Sequence, residues 1–153
     1  MRVTPKKGQG YEDVRSLMRS KQLHTVCEEA RCPNVGECWA HGTATFLVMG
    51  DRCTRNCRFC AVAHGPTEPP EADEAAKVAQ AVHALGLNYV VITSVTRDDL
   101  ADGGASCFAD AIQAVRAKCP DTLVEVLIPD FQGNAEALKT VLAADPNILN
   151  HNI

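Results

Sequence analysis

From Thr43 onward the chain repeats one unit: a short apolar run, a polar turn, then apolar residues at helical spacing. Thr43 to Met49 is rich in Thr, Phe, Leu and Val and reads as a buried strand. Residues 71–85 place Ala75, Val78, Val82 and Leu85 on one helical face, with Gly86 set to stop the helix. Tyr89 to Thr93 (YVVIT) is a second strand, and Phe108, Ile112 and Val115 mark a second helix. Leu123 to Ile128, closed by Pro129, is a third strand. Asn134 stands where it would cap a helix carrying Leu138, Val141 and Leu142, and Asn147 to Asn150 begins a fourth strand. Strands alternating with helices of this length form βαβ units and therefore a parallel sheet. Right-handed crossovers bring the loops that follow the strands to one rim. The expected class is α/β, a partial (β/α) barrel over residues 43–153. Four strands do not close an eight-stranded barrel, and the sequence stops at Ile153 inside a strand, so the rest of the barrel is expected to lie outside this chain.

Residues 1–42 have a different character and read as an N-terminal extension. Tyr11 to Ser20 has Val14, Leu17 and Met18 at helical spacing between charges, the pattern of a short amphipathic helix. The segment after it contains Pro33 and Gly36 and few β-branched residues, so it reads as mostly loop.

Six of the eight cysteines fall into two triplets, Cys27-Cys32-Cys38 in the extension and Cys53-Cys57-Cys60 directly after the first strand. Disulfides belong to oxidising compartments, and Met1 to Gly10 lacks the apolar stretch of a secretory signal. The expected setting is the cytoplasm, where clustered cysteines point to metal or catalysis. A closed structural zinc site takes four ligands, which His64 or His41 could complete. An iron–sulfur cube held by three cysteines instead leaves one iron open to another ligand. Arg52, Arg55 and Arg58 interleave with the second triplet and would favour a reduced, more negative cluster, unless they are simply solvated. Cys107 and Cys119 lie outside both triplets and read as packing residues.

Composition narrows the partners. The net charge is −4, and the Lys6–Lys7 pair is the basic feature near the start, so no basic face for nucleic acid is expected. No apolar run reaches the roughly 20 residues needed to span a bilayer, so no membrane role is expected.

The stretch DRCTRNCRFC, with C-x3-C-x2-C spacing, resembles the signature of the radical S-adenosylmethionine superfamily. The stretches HTVCEEARCPNVGECW, MGDRCTRNCRFCAVAHG, VITSVTRDDLADGGA, VEVLIPDFQG and NILNHN resemble, in order, the blocks of the lipoyl synthase family. This resemblance covers nearly the whole chain from Gly10 onward. It implies a partial barrel of the radical SAM type with a cluster-binding extension. It implies a 4Fe–4S cluster on Cys53, Cys57 and Cys60 whose open iron binds S-adenosylmethionine, and an auxiliary 4Fe–4S cluster on Cys27, Cys32 and Cys38. In that family a 5′-deoxyadenosyl radical removes hydrogen at C6 and C8 of a protein-bound octanoyl-lysine, and auxiliary sulfides fill both positions. Two S-adenosylmethionine molecules are used per lipoyl group.

The substrates implied are octanoylated carrier domains such as those of 2-oxoacid dehydrogenase E2 and the glycine cleavage H protein, with a reductant such as ferredoxin or flavodoxin. Phe59 matches an adenine-contacting aromatic position. Thr93 and Ser94 are suited to the methionyl end of the cofactor, and Asn150, with Asn152, to the cofactor or acyl pocket. Asp98, Asp99 and Asp102 are expected to shape their loop through turns. The family's auxiliary cluster takes its fourth ligand from a serine in an Arg-Ser-Ser-Tyr motif, which this sequence lacks. From that absence the chain alone is expected to fill the auxiliary site poorly and to be inactive. A transfer-RNA methylthiotransferase of the same superfamily, or an iron–sulfur carrier or electron-transfer protein, are the competing readings.

Overall fold

A computed structural model of the protein describes residues 9–41 and 43–151; the Lys6–Lys7 pair and Asn152 lie outside the described residues. The chain begins with α1 (Gln9–Ser20), β1 (His24–Thr25), α2 (Val26–Glu29) and α3 (Val35–Ala40). Then come β2 (Thr45–Val48), β3 (Arg52–Cys53), β4 (Ala63–His64), α4 (Glu74–Leu85), β5 (Tyr89–Ser94) and α5 (Ala105–Lys118). The last elements are β6 (Leu123–Ile128), a 3-10 turn (Phe131–Gly133), α6 (Ala135–Ala143) and β7 (Ile148–His151).

The main sheet has the order β1-β2-β5-β6-β7. Its last four strands run parallel, and β1 joins β2 antiparallel at the edge. This is the parallel sheet expected from the alternation of strands and helices, open rather than closed into a barrel. Because strand side chains alternate, each strand presents two kinds of face. Phe46, Val48, Val90, Ile92, Val124 and Val126 are all buried and join the core formed with α4, α5 and α6. On the opposite face Thr45, Val91, Glu125 and Leu127 are half-buried, while Leu123, Ile148 and Asn150 are exposed. Leu47 and Thr93 on that same face are buried, so it is open to solvent mainly toward β6 and β7.

The local signals explain the boundaries. Gly86 takes φ +61 at the end of α4, a left-handed cap that glycine adopts without steric cost. Asn134 Oδ1 accepts the backbone N–H groups of Glu136 at 3.0 Å and Ala137 at 3.2 Å, capping α6 as expected. Asn134→Ala should lower stability by about 1 kcal/mol, read as a shift of the urea midpoint at constant m.

The first cysteine segment departs from its reading as mostly loop. It forms two short helices, with Cys27 in α2 and Cys38 in α3. The reason is local capping: Thr25 Oγ1 accepts the N–H of Glu28 at 3.2 Å, and the Ala30 N–H returns to Val26 O at 2.9 Å. These helices share the core of the sheet. Val14 and Met18 of α1, Cys27 and Trp39 are buried with it, and the Tyr11 ring lies 4.9 Å from that of Trp39. Among the described residues no helix is long and apolar enough to cross a membrane.

Candidate functional site

The loops that follow β2, β5 and β6 meet at the C-terminal rim of the parallel strands. Thr54, next to Cys53, donates its N–H and its hydroxyl to Thr96 O at 3.0 and 2.8 Å, and its Oγ1 accepts the Asp98 N–H at 3.2 Å. Arg55 reaches Asp98 beyond β5 and Asp130 beyond β6. The two-residue strands β3 and β4 pair in parallel and close the base of the cysteine loop, with Gly65 N–H on Cys53 O at 3.2 Å. The convergence expected of the strand-end loops is therefore built from hydrogen bonds.

Within the second triplet, the Cys53 sulfur accepts the N–H groups of Thr96 at 3.3 Å and Arg55 at 3.4 Å. Backbone donors aimed at a sulfur suit a thiolate ligand, because such hydrogen bonds stabilise its negative charge. Cys57 and Cys60 are exposed, joined by the Cys60 N–H to Cys57 O bond of 3.0 Å. Phe59 stands between them 92% exposed, an aromatic face with nothing packed on it. The loop thus presents two thiols and a ring to solvent above a third thiol held by the sheet.

The first triplet is packed more deeply. Cys27 is buried, Cys32 and Cys38 are half-buried, and the Cys32 N–H donates to Cys27 O at 3.0 Å. Burial pushes the Cys38 thiol up, and the neighbouring thiols of Cys27 and Cys32 and the Glu37 carboxylate push it the same way. The Cys38 thiol therefore feels the charge of both neighbours, and thiolates at all three positions would repel one another. A bound cationic centre relieves that repulsion and holds the thiols deprotonated. The donors on the Cys53 sulfur and the mutual repulsion at Cys38 are features that a cationic centre bound by the thiolates would satisfy. A tetrahedral zinc with Zn–S of about 2.3 Å needs its ligand atoms close together. Among the described residues the group of three His, Cys or carboxylate ligand atoms lying within 4.8 Å of one another is instead His24, Glu29 and Asp51. His64 is the register partner of Cys53, whereas His41 places Nδ1 2.8 Å from Glu37 O.

The remaining candidates are distributed over both faces of the sheet. Thr93, Leu127 and Asn150 are register partners and share the open face. Thr93 donates its hydroxyl to Leu127 O at 2.9 Å. Asn150 pairs with Glu125, which also takes the Tyr89 hydroxyl, so a polar row crosses that face. Ser94, one residue beyond Thr93, points to the opposite side, and its buried hydroxyl has no hydrogen-bond partner. The orphaned hydroxyl stands at the strand end, two residues from Thr96, whose N–H meets Cys53.

Of the three aspartates expected to shape the loop after β5 through turns, only Asp102 does so with its side chain. Asp102 accepts the N–H groups of Gly104 and Ser106, each at 2.9 Å, at the start of α5. Burial opposes its ionisation, but these donors outweigh burial and its carboxyl lies below the usual range. Asp98 and Asp99 turn to arginines instead. Arg97 is buried and donates to Asp99 and to the carbonyls of Met49 and Glu68, which fastens the start of the cysteine loop from below. Its structural part was not legible, since both carbonyls belong to distant segments. Arg55 also departs from its reading as a free cation beside the cluster: two carboxylates neutralise it, and Arg52 and Arg58 stay exposed.

Comparison with known proteins agrees with this geometry. The profile of the Radical SAM superfamily matches residues 47–153. The chain is 64% identical over 146 residues to a lipoyl synthase of Desulfotalea psychrophila, covering 95% of this chain and 49% of that protein. It is 60% identical over 146 residues to a lipoyl synthase of Chloroflexus aurantiacus, covering 95% of this chain and 48% of the other. With a lipoyl synthase of Roseiflexus sp. the identity is 58% over 153 residues, all of this chain and 51% of that protein. The chain spans about half the length of the curated relatives it matches.

Proposed function

The chain belongs to the radical SAM superfamily, and from that premise we propose that it acts as a lipoyl synthase, placing two sulfur atoms at C6 and C8 of a protein-bound octanoyl-lysine. The observation that supports this most is the position of Cys53, Cys57 and Cys60 on the rim where three strand-end loops meet. Two 4Fe–4S clusters and S-adenosylmethionine would supply hydrogen-atom abstraction from unactivated carbon and the inserted sulfur, chemistry that no side-chain acid or base can perform.

The protein's own part is to hold and orient. Cys53, Cys57 and Cys60 would ligate three irons of the cluster that binds S-adenosylmethionine, and the N–H groups of Thr96 and Arg55 would support the Cys53 thiolate. Cys27, Cys32 and Cys38 would hold the auxiliary cluster that serves as the sulfur source. Phe59 offers a free aromatic face to the adenine, and the Ser94 hydroxyl has a bond to give to the cofactor's polar end. Thr93 and Asn150 lie on the open face of the sheet, where half-buried Val91 and Leu127 suit an alkyl chain. The acyl donors would be octanoylated domains of 2-oxoacid dehydrogenase E2 or the glycine cleavage H protein. A cytoplasmic ferredoxin or flavodoxin would supply electrons.

The test is chemical. Anaerobically reconstituted, reduced protein is mixed with S-adenosylmethionine, and 5′-deoxyadenosine is measured by chromatography. Its release is expected even where the auxiliary site stays empty and no sulfur is inserted, because cleavage needs only the cluster on the second triplet. Intact S-adenosylmethionine after prolonged incubation would overturn the proposal.

A further inference from the structure

We propose that Arg55 is a positioning residue: it locks the cysteine loop onto the strand rim by gripping carboxylates from two other loops. The inference rests on the reading of Cys53, Cys57 and Cys60 as cluster ligands. Arg55 stands between Cys53 and Cys57. Its Nε and Nη2 donate to Asp98 Oδ2 and Oδ1 at 2.7 and 3.0 Å. Its Nη1 and Nη2 donate to Asp130 Oδ2 and Oδ1 at 2.9 and 2.8 Å. Every guanidinium nitrogen is engaged, and both carboxylates are met by two bonds.

An isolated ion pair at a half-exposed site contributes little, because water competes and long side chains lose entropy. Paired, charge-assisted bonds fixed at both ends are the exception, since the fork sets direction as well as distance. The far end is fixed here. Asp130 Oδ1 also accepts the Gln132 N–H at 2.9 Å, and the Asp98 N–H donates to Thr54 Oγ1 at 3.2 Å. Residues 56–60 are all exposed, so the loop has little packing of its own to keep the thiols in place. One side chain thus ties the loops after β2, β5 and β6 together.

The charge balance separates this role from a redox one. Arg55, Asp98 and Asp130 together carry one net negative charge, so the group offers no free cation to a reduced cluster. The purpose left for Arg55 is geometric, and a lysine, with a compact charge and no planar fork, cannot reproduce it.

Three substitutions isolate geometry from charge. Arg55→Gln makes the loop more negative, Arg55→Lys leaves its charge unchanged, and Asp130→Asn makes it more positive; the first two remove the planar fork and the third breaks its two-bond grip on residue 130. Amide hydrogen exchange of residues 53–60 is read by mass spectrometry against residues 90–94 of β5. All three variants are expected to raise loop exchange about tenfold while β5 stays protected. In the S-adenosylmethionine cleavage assay, all three are expected to raise KM about tenfold with kcat within about threefold.

Loop exchange within about twofold of the parent in a variant whose β5 stays protected would overturn the clamp. So would KM shifts of opposite sign in Arg55→Gln and Asp130→Asn, which would mark an electrostatic role. A variant that also opens β5 has unfolded, and the other two then carry the test. The exchange measurement needs neither cluster nor cofactor. It therefore reports on the clamp even where the parent releases no 5′-deoxyadenosine, the separate result that would sink the proposed function.

Discussion

Cys57→Ala is expected to reduce release of 5′-deoxyadenosine to background while leaving the folded chain intact. Cys57 is exposed and lies in the loop, not in a strand or helix. Its truncation removes almost no packing, and exposed substitutions of this kind change stability by about 0.5 kcal/mol or less. The same substitution removes one of three thiolates, so one of three irons loses its protein ligand. Cys27→Ala makes the contrast. Cys27 is buried in the same core cluster as Trp39, so its loss should lower the melting temperature while the second triplet keeps its iron. Circular dichroism and the cleavage assay, run together on both variants, separate a ligand from a packing residue. Full cleavage activity in Cys57→Ala would contradict the assignment of the second triplet.

Arg97→Met is expected to cost about 3 kcal/mol of stability, a large share of the total for a domain of this size. Arg97 is 1% exposed. Its Nη1 donates to Met49 O at 3.0 Å, its Nη2 to Glu68 O at 2.8 Å, and its Nε and Nη2 to Asp99 at 2.9 and 2.8 Å. Methionine fills much of the space but leaves the buried Met49 carbonyl without its donor, with Glu68 O and the exposed Asp99 carboxylate also unpaired, and the buried group carries most of the cost. The measurement is urea unfolding at neutral pH, and a loss below about 1 kcal/mol would contradict it.

The same pair sets an acid dependence. Arg97 holds the Asp99 carboxyl down to about 2, with the Thr67 hydroxyl helping. A depressed carboxyl stabilises the fold above its unfolded value near 4 and loses that contribution as pH falls toward 2. Stability of the parent should therefore fall across that window, and Arg97→Met should show a shallower fall.

The elements that position the site were legible because each carries its own signal. YVVIT is a strand by composition and length, Gly86 and Asn134 bound their helices, and three strand-end loops converge because parallel connections leave them no other rim. Cys53, Cys57 and Cys60 were legible for the same reason, since their spacing follows a strand. The helices around Cys27 and Cys38 were hidden, because four- and six-residue helices have too few residues for a periodic pattern and depend on a cap such as Thr25.

Long-range bonds were not legible at all. Arg55 looks like any loop charge until Asp98 and Asp130 are seen to face it. The same holds for Gly104. It has φ +92, a left-handed backbone conformation that glycine adopts without steric cost and other residues rarely take. Thr93 and Ser94 were grouped as neighbours in sequence, yet the pleat sends them to opposite faces of the sheet.

The most direct measurement is iron and acid-labile sulfide per chain after anaerobic reconstitution, made on the parent and on Cys53→Ala and Cys27→Ala. The expected result is a complement of about four irons with matching sulfide that vanishes in Cys53→Ala and survives in Cys27→Ala. Zinc without sulfide, or the same iron content after loss of Cys53, would contradict a radical SAM cluster on Cys53, Cys57 and Cys60.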